Sequence, residues 1–201
     1  MVQTPSTGVN LFRSGELDYT TLTSDFVKQY QNNSSYHTKV TPTNGYLSFN
    51  LKRKSTGNVH IRRAISRAIN KQQLVKTVLH QGKVSNGIVA ANFITDQATG
   101  NDYRKDAGDL VTYNAKEAKK EWQLGLKQLG KNKLTLELLT SDIDDAKRVG
   151  EFIQSNLMKN LPGLTLRVRS IPLKSRLSNT TNHNYDFVYG TWQPSYEDPI
   201  D

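Results

Sequence analysis

The sequence predicts an α/β domain, in which helices flank a sheet that contains parallel strands. Two segments, 134–138 and 164–168, alternate apolar and polar residues as half-buried strands do. Between them, apolar residues recur at one-turn spacing from Ala146 to Leu157, which is the pattern of an amphipathic helix. Neighbouring strands joined by a helix should pair in parallel, so this strand–helix–strand unit favours an α/β sheet over a β-sandwich.

The first part of the chain is predicted to contain two short helices separated by a strand. One helix ends at Gly15, and residues 16–22 are expected to form the strand. Thr23 and Ser24 then cap a second helix that continues to about Gln31.

Two further strands are expected after this helix, at residues 36–40 and 45–51. Side chains alternate between the two faces of a strand, and in the second segment the two faces differ. One face carries the polar residues Tyr46, Ser48 and Asn50, and the other carries Leu47, Phe49 and Leu51.

Two consecutive helices are predicted next. Residues 59–69 place apolar side chains one turn apart, at Ile61, Ala64, Ile65, Ala68 and Ile69. Asn70, followed three residues later by Gln73, resembles a capping box, so a second helix should begin there and end at Gly82. Its buried face would consist of Leu74, Val75, Val78 and Leu79.

The next segment, residues 84–111, has no apolar period and is predicted to be a long loop. An amphipathic helix should follow Asn114 and end at Gly130. Its inward residues would be Ala118, Trp122, Gly125, Leu126 and Leu129.

The positive charge of the chain is concentrated in one segment. The net charge is +9, and residues 52–83 contain nine Lys or Arg and no acidic residue. Elsewhere, basic and acidic residues are equal in number. A solvated helix face is the preferred interpretation, and a surface for nucleic acid or for an anionic membrane is the alternative.

The composition excludes several kinds of chemistry. The chain has no cysteine, which removes disulfides, thiolate nucleophiles and sulfur-ligated metal sites. Its four histidines do not lie at metal-ligand spacing, and it contains neither a phosphate-binding glycine loop nor a nucleophile elbow. No apolar run approaches the length of a membrane span. We therefore expect no metal, no cofactor and no catalytic residue.

Three acidic residues, Asp142, Asp144 and Asp145, follow a predicted strand and admit two interpretations. They could form a carboxylate cluster at the carboxyl end of a parallel strand, where α/β proteins often bind ligands. Alternatively, they lie in the first turn of a helix, whose dipole stabilises each of them by about 0.3–1 kcal/mol. The second interpretation is preferred, because no base or metal ligand accompanies them.

The C-terminal segment, residues 185–201, is the strongest candidate for a binding site. A β-prone run leads there into an aromatic, acidic and proline-bounded loop. Tyr189 and Trp192 flank Gly190 and Thr191, so a strand edge with free backbone groups would lie beside two large rings and could hold an extended peptide. The alternative, that Trp192 is a core residue, stays open on composition alone.

Four segments together resemble the bacterial extracellular solute-binding proteins of family 5, the peptide-binding components of ABC importers. Residues 59–75 are similar to the signature helix pair of that family. Residues 11–18 resemble its helix-Gly-x-x-Asp segment, 46–50 its Tyr-x-x-x-Asn strand, and 186–199 its Asp-x-x-x-x-x-Trp-x-x-Asp-Tyr-x-Asp-Pro segment. The four follow the order of the family, and the similarity covers nearly the whole chain.

This resemblance implies a fold and a place within a larger protein. Members of the family have two lobes that close around an extended peptide, and they are considerably longer than this chain. Residues 1–201 would then form a single lobe of the periplasmic-binding-protein-like class (type II), with a mixed sheet flanked by helices. The chain would be an incomplete fragment, which lacks the opposing lobe, the signal sequence and the lipid-bearing cysteine of Gram-positive members.

The resemblance also implies partners and a location. Such a receptor delivers oligopeptides to the permease subunits of an ABC transporter and is not an enzyme. It would lie outside a Gram-positive cell, attached to the outer face of the membrane through a lipid anchor that this fragment lacks.

The same resemblance implies which residues contact the peptide. Thr191, Trp192 and Gln193 match the strand edge that pairs with peptide backbone in the family. Ser195 departs from the pattern, since many members have an aspartate there that accepts the α-amino group of the ligand. The predicted ligand-binding residues are Tyr46, Tyr189, Thr191, Trp192, Gln193 and Ser195.

The serine has a physical consequence. A hydroxyl accepts a hydrogen bond but supplies no counter-charge to a buried ammonium group. We therefore expect either that blocked or internal peptide segments are tolerated, or that Glu197 or Asp198 replaces the missing aspartate.

Two other functions remain as alternatives at this point. A basic nucleic-acid-binding domain is supported by residues 52–83, although that segment contains no interleaved aromatic residues. A hydrolase that uses Asp142, Asp144 or Asp145 lacks a partnered base or metal ligand.

Overall fold

Four strands form one mixed sheet, and helices flank it. The computed structural model describes residues 5–196 and 198. The strands are β1 (Asn44–Phe49), β2 (Leu134–Ser141), β3 (Leu164–Ile171) and β4 (Phe187–Trp192). Their order in the sheet is β1-β4-β2-β3. β2 pairs in parallel with β3 and with β4, whereas β1 pairs with β4 in the antiparallel direction.

The helices differ widely in length. In chain order they are α1 (Pro5–Arg13), α2 (Ser24–Tyr30), α3 (Lys54–Gly57), α4 (Val59–Ala68), α5 (Lys71–Leu74), α6 (Tyr103–Ala107), α7 (Ala115–Gln128), α8 (Asp144–Asn160) and α9 (Leu173–Thr181). A π-helical turn, Val75–Leu79, continues α5. Within residues 5–196 and 198, no helix combines the length and the apolar composition that a membrane span requires.

The predicted strand–helix–strand unit is confirmed. β2 and β3 are parallel, with Leu134 opposite Leu164, and α8 connects them. A methyl group at Gly150 of α8 would lie 3.0 Å from Cγ1 of Val168, so this glycine lets the helix approach the sheet. The buried residues of α8 are those of the predicted stripe: Ala146, Val149, Gly150, Ile153 and Leu157.

The predicted helices at residues 59–69 and after Asn114 are confirmed as α4 and α7, and they pack against each other. Trp122 of α7 is fully buried, and its Nε1 donates a hydrogen bond to the backbone oxygen of Pro162 at 2.8 Å. A methyl group at Gly125 would lie only 2.6 Å from Cδ1 of Ile61. The missing side chain at Gly125 therefore sets how closely the two helices approach.

Asparagine side chains mark the starts of three helices. Asn58 at α4, Asn70 at α5 and Asn114 at α7 accept hydrogen bonds from backbone N–H groups of the first turn. Each such cap typically contributes about 1 kcal/mol. The helix starts predicted at Asn70 and Asn114 are thus confirmed.

Two predicted strands are wrong. Residues 16–22 and 36–40 contain no strand, and within them Tyr19 is 76% exposed and Val40 is 86% exposed. A β-prone composition describes residues that suit a half-buried pleated surface. Residues 16–22 and 36–40 do not pair with any strand of the sheet. Their β-prone side chains therefore have no half-buried sheet surface to pack on.

The helix after Asn70 is shorter and less buried than predicted. It changes to π-helical geometry at Val75 and ends at His80, whose φ is 56°, and not at Gly82. The left-handed conformation of His80 closes the helix two residues early. The predicted buried face is only half-buried, at Leu74, Val75, Val78 and Leu79.

The segment 84–111 is more ordered than the predicted loop. It contains α6 and an isolated bridge between Thr95 and Asp102. Two further helices outside this segment, α3 and α9, were not predicted from the sequence. α3 spans only four residues, and α9 has only Arg176 buried, so neither presents a long apolar stripe.

Acidic residues of α7 lie beside the basic segment 52–83. Glu121 Oε2 lies 2.6 Å from Nδ1 of His60, and its Oε1 lies 3.9 Å from Nη1 of Arg63. Arg62 donates hydrogen bonds to two backbone carbonyls of the preceding segment. The positive charge is therefore compensated in part by a helix that is distant in sequence.

Replacement of Gly125 by alanine tests the close contact of α4 with α7. The added methyl group must displace Ile61, so we expect Gly125→Ala to lower the free energy of unfolding by about 1–3 kcal/mol, the usual cost of overpacking a core. Urea denaturation followed by circular dichroism measures this. Gln123→Ala, at an exposed position of α7, is the matched control, and an equal stability of both variants would contradict the prediction.

Candidate ligand-binding site

The antiparallel pair of β1 and β4 has two different faces at its open end. Tyr46 lies opposite Gly190, and Asn44 lies opposite Trp192, so these residues share one face. Leu47 lies opposite Tyr189 and shares the other face, which packs on the hydrophobic core. The face with Tyr46 and Trp192 is the one that borders an open cavity.

This cavity has a volume of about 330 Å³, and we call it the Trp192 cavity. One wall is formed by β1 and by the chain that follows β4. The other wall comes from the segment that the sequence analysis treated as a loop. The lining residues are Pro42, Asn44, Gly45, Tyr46, Gly87, Ile88, Val89, Ala90, Phe93, Trp192, Pro194 and Asp198.

A hydrogen bond from Asn44 holds the two walls together. Its Nδ2 donates to the backbone oxygen of Ile88. Sequence reasoning missed the residues of this second wall. The run from Gly87 to Ala91 was the available signal, because it contains four apolar residues and a glycine inside an otherwise polar segment.

The last residues of β4 form a strand edge. β2 pairs with β4 only at Phe187 and Val188. From Tyr189 to Trp192, β1 is the only neighbouring strand among the described residues. On the other side, Nη1 of Arg176 donates to the backbone oxygen of Tyr189 at 3.4 Å. Beyond Tyr189, therefore, no described strand other than β1 pairs with β4; Gly190 is buried there, whereas Thr191 and Trp192 are exposed.

The structure decides between the two interpretations of Trp192. Its side chain is 51% exposed and lines the cavity, so the interpretation as a core residue is wrong. Tyr46, which also lines the cavity, is 42% exposed. Thr191, Gln193 and Ser195 are exposed.

Gln193 helps to position the segment after β4. Its Oε1 accepts a hydrogen bond from Oγ1 of Thr43 at 3.0 Å, across the end of the β1–β4 pair. Asp198 lines the Trp192 cavity, whereas Glu197 lies outside the described residues. The structure thus brings Tyr46, Trp192 and Asp198 to one cavity, close to the backbone of Thr191 and Gln193.

Tyr189 is placed differently from the arrangement that the sequence predicts. Its ring does not lie beside that of Trp192, because alternate residues of a strand point to opposite faces. A methyl group at Gly45 would lie 3.1 Å from its hydroxyl oxygen, on the core side of the sheet. Burial raises the pKa of Tyr189 above its ordinary value of 10.0, and the nearby carboxylate of Asp145 raises it further. The prediction that the rings of Tyr189 and Trp192 both lie beside this strand edge is therefore wrong.

The acidic residues before α8 have structural contacts. Asp144 and Asp145 lie in the first turn of α8, as preferred in the sequence analysis, whereas Asp142 lies before the helix, contrary to it. Oδ1 of Asp145 accepts a hydrogen bond from the hydroxyl of Ser24, which links α8 to α2. Among the residues that the structure describes, no group of three His, Cys, Asp or Glu residues could hold a metal ion.

A second cavity lies between α2 and the π-helical turn. Its volume is about 370 Å³, and its lining includes Lys28, Lys76 and His80. It contains none of the predicted ligand-binding residues. We regard the Trp192 cavity as the candidate site, because it adjoins the strand edge and contains aromatic side chains.

Comparison with known proteins identifies the family of the whole chain. A family model described as bacterial extracellular solute-binding proteins, family 5 Middle, matches residues 1–201. The chain is 29% identical to a dipeptide-binding protein of Lactococcus lactis subsp. cremoris (strain MG1363) over 210 aligned residues, which include 99% of this chain and 38% of that protein.

Solved structures have the same fold. A structure of Listeria monocytogenes OppA bound to peptide has a TM-score of 0.94 and 41% sequence identity, and it aligns with 99% of this chain and 40% of its own. The pheromone receptor PrgZ, described with its mode of peptide binding, has a TM-score of 0.91 and 33% identity over 99% of this chain and 40% of its own. The predicted fold, a lobe of the type II periplasmic-binding-protein class with a mixed sheet, is thereby confirmed.

The chain spans about two fifths of the length of these relatives. The comparisons give no support to the alternative of a nucleic-acid-binding domain.

The burial of Tyr189 predicts a pH dependence of stability. Because its pKa is raised in the folded protein, the folded state holds this proton more tightly than the unfolded state does. The contribution is therefore complete below about pH 10 and is lost as the pH rises through the folded pKa. As the pH is raised from 9 to 11, we expect the free energy of unfolding to fall less in Tyr189→Phe than in the unchanged protein, because phenylalanine has no proton to lose. Urea denaturation at each pH measures the difference, and parallel stability curves would contradict it.

Proposed function

Because the chain belongs to the bacterial extracellular solute-binding proteins of family 5, we propose that it forms the peptide-contacting lobe of a receptor for an ABC importer. The observation that carries this proposal is the Trp192 cavity beside the unpaired edge of β4. The relatives named above are described as binding dipeptides or peptides, which agrees with a site for extended backbone.

An extended peptide would bind to this edge as an additional strand. The backbone groups of residues 190–192 would exchange hydrogen bonds with the peptide backbone, as in other cases of β-augmentation. These bonds do not depend on the peptide sequence. The rings of Trp192 and Tyr46 would contact the peptide side chains, with Thr191, Gln193 and Ser195 at the same end of the site. Tyr189 would contribute through its backbone, since its ring packs on the core.

The α-amino group of the peptide would be recognised by Asp198. Ser195 occupies the position of the aspartate that the family resemblance implies, and its hydroxyl cannot balance an ammonium charge. Asp198 lines the same cavity as Trp192 and carries a carboxylate. It therefore offers the counter-charge that Ser195 lacks.

We further propose that this lobe closes against a second one. The relatives are more than twice as long as this chain, and two residues that line the Trp192 cavity, Trp192 and Ile88, are 51% and 79% exposed. A ligand buried between two walls gains far more contact than a ligand on one wall. The lobe alone should therefore bind peptides more weakly than the complete receptor does.

The proposed setting is the outer face of the membrane of a Gram-positive bacterium. A lipid anchor outside this segment would hold the receptor there, and it would pass its peptide to permease subunits. The receptor would act by binding alone, without a cofactor and without catalysis. The basic segment 52–83, partly compensated by α7, would favour contact with anionic headgroups.

Replacement of Trp192 tests the proposed site. We expect Trp192→Ala to weaken the binding of a peptide such as tetra-alanine by the complete receptor by about tenfold or more, because buried aromatic residues dominate binding energies. Isothermal titration calorimetry measures the dissociation constants. Tyr19→Ala is the control, since Tyr19 is also exposed but does not line the cavity. Equal affinities for the two variants would exclude the Trp192 cavity as the site.

Blocking the peptide N-terminus tests the role of Asp198. The free peptide should bind about tenfold more tightly than its N-acetylated form, because a hydrogen bond between charged groups is worth about 1.5–3 kcal/mol. In Asp198→Asn this preference should disappear, whereas Asp142→Asn, an exposed acid outside the cavity, should retain it. If the two forms of the peptide bind equally to the unchanged receptor, recognition of blocked or internal segments replaces this proposal.

A further inference from the structure

α9 contains a buried arginine that has no anionic partner in the described part of the chain. Arg176 is only 9% exposed. Its Nη1 donates a hydrogen bond of 3.4 Å to the backbone oxygen of Tyr189, and its Nε is enclosed without an acceptor among the described residues. By contrast, Arg148 and Arg169 contact carboxylates at 2.6 Å and 2.7 Å.

This environment is unfavourable for a guanidinium group. Of its N–H donors, those on Nη1 have one long hydrogen bond to a neutral carbonyl, and the one on Nε is enclosed without an acceptor among the described residues. A buried charge without a counter-charge is costly, and an enclosed donor without an acceptor adds to that cost. An anion that binds next to Arg176 would remove part of the cost, so the folded protein favours an anion at this place.

Gly190 is the point on β4 that both Arg176 and Tyr46 approach. A methyl group on Gly190 would lie 3.1 Å from Nη1 of Arg176 and 3.1 Å from the hydroxyl oxygen of Tyr46. The guanidinium and the phenol therefore both lie against the same glycine, on the face of β4 that carries Trp192. Tyr46 also lines the Trp192 cavity, so the two polar groups lie next to the candidate peptide site.

We propose that Arg176 and the hydroxyl of Tyr46 form a carboxylate-binding subsite beside the Trp192 cavity. A guanidinium suits a carboxylate because its planar donors match the two oxygens, and the phenol can donate a further hydrogen bond. The inference rests on the proposed function, since the carboxylate would belong to the bound peptide. It comes either from an acidic side chain or from the C-terminus.

Matched peptides distinguish the two sources of the carboxylate. Tetra-alanine is compared with its C-terminal amide, and tetra-alanine amides with one Glu are compared with the same amides containing Gln. Isothermal titration calorimetry with the complete receptor should show that one charged peptide binds about tenfold more tightly than its neutral counterpart. A preference for the free acid identifies the C-terminus, and a preference for Glu identifies a side chain.

Substitutions then test whether Arg176 causes the preference. Arg176→Gln should reduce the ratio of the two affinities to near one. Lys174→Gln removes a positive charge from an exposed position of the same helix and should leave the ratio unchanged. Gly190→Ala keeps the arginine but places a methyl group in the subsite, so it should also reduce the ratio, and it decides the question if Arg176→Gln does not fold.

Thermal unfolding without peptide separates a binding role from a structural one. Arg176→Gln should be as stable as the unchanged protein or more stable, because it removes an uncompensated buried charge. Retention of the ratio in Arg176→Gln, or peptide binding without any preference for a carboxylate, would overturn this inference and leave the proposed function standing. Failure of every peptide to bind would overturn both.

Discussion

The candidate site depends on the place where β4 loses its second neighbouring strand. Phe187 is fully buried and stacks on Phe49 of β1, with ring centroids 5.7 Å apart, so the first half of β4 belongs to the core. β2 pairs with Phe187 and Val188 only. The second half of β4 is therefore held by β1 on one side only among the described strands, and its exposed residues Thr191 and Trp192 make it the candidate edge for an added strand. The exposure of Trp192 follows from the same geometry.

Two tryptophans show how differently the fold uses the same side chain. Trp122 of α7 is fully buried in the hydrophobic core and donates to the backbone oxygen of Pro162, so it serves packing. Trp192 is half exposed above a cavity and is available to a ligand. The same helix, α7, packs closely against α4 at Gly125, where the missing side chain leaves room for Ile61. The face of the β1–β4 pair that carries Tyr46 and Trp192 borders the cavity.

The arrangement of charges separates structural contacts from the proposed binding contact. Arg148 contacts Asp25 at 2.6 Å and joins α8 to α2, and this hydrogen bond lowers the pKa of the Asp25 carboxyl group. Arg169 contacts Glu137 across β3 and β2. Both pairs are complete within the chain. Arg176 is more buried than either arginine and has no such pair in residues 5–196 and 198, which is why it is assigned to a ligand.

The sequence by itself determined the strand–helix–strand unit and the helices capped by Asn70 and Asn114, because periodicity and capping are local properties of the chain, whereas Thr23 makes no side-chain cap. It could not show that residues 16–22 and 36–40 stay outside the sheet, since a strand exists only where a partner accepts it. Only the tertiary structure decided that Tyr189 points to the core and Trp192 to the cavity, that the segment around Ile88 forms the opposite wall, and that Arg176 and Tyr46 both lie against Gly190. These relations join residues that are far apart in the chain, and the packing of the sheet against its helices sets them.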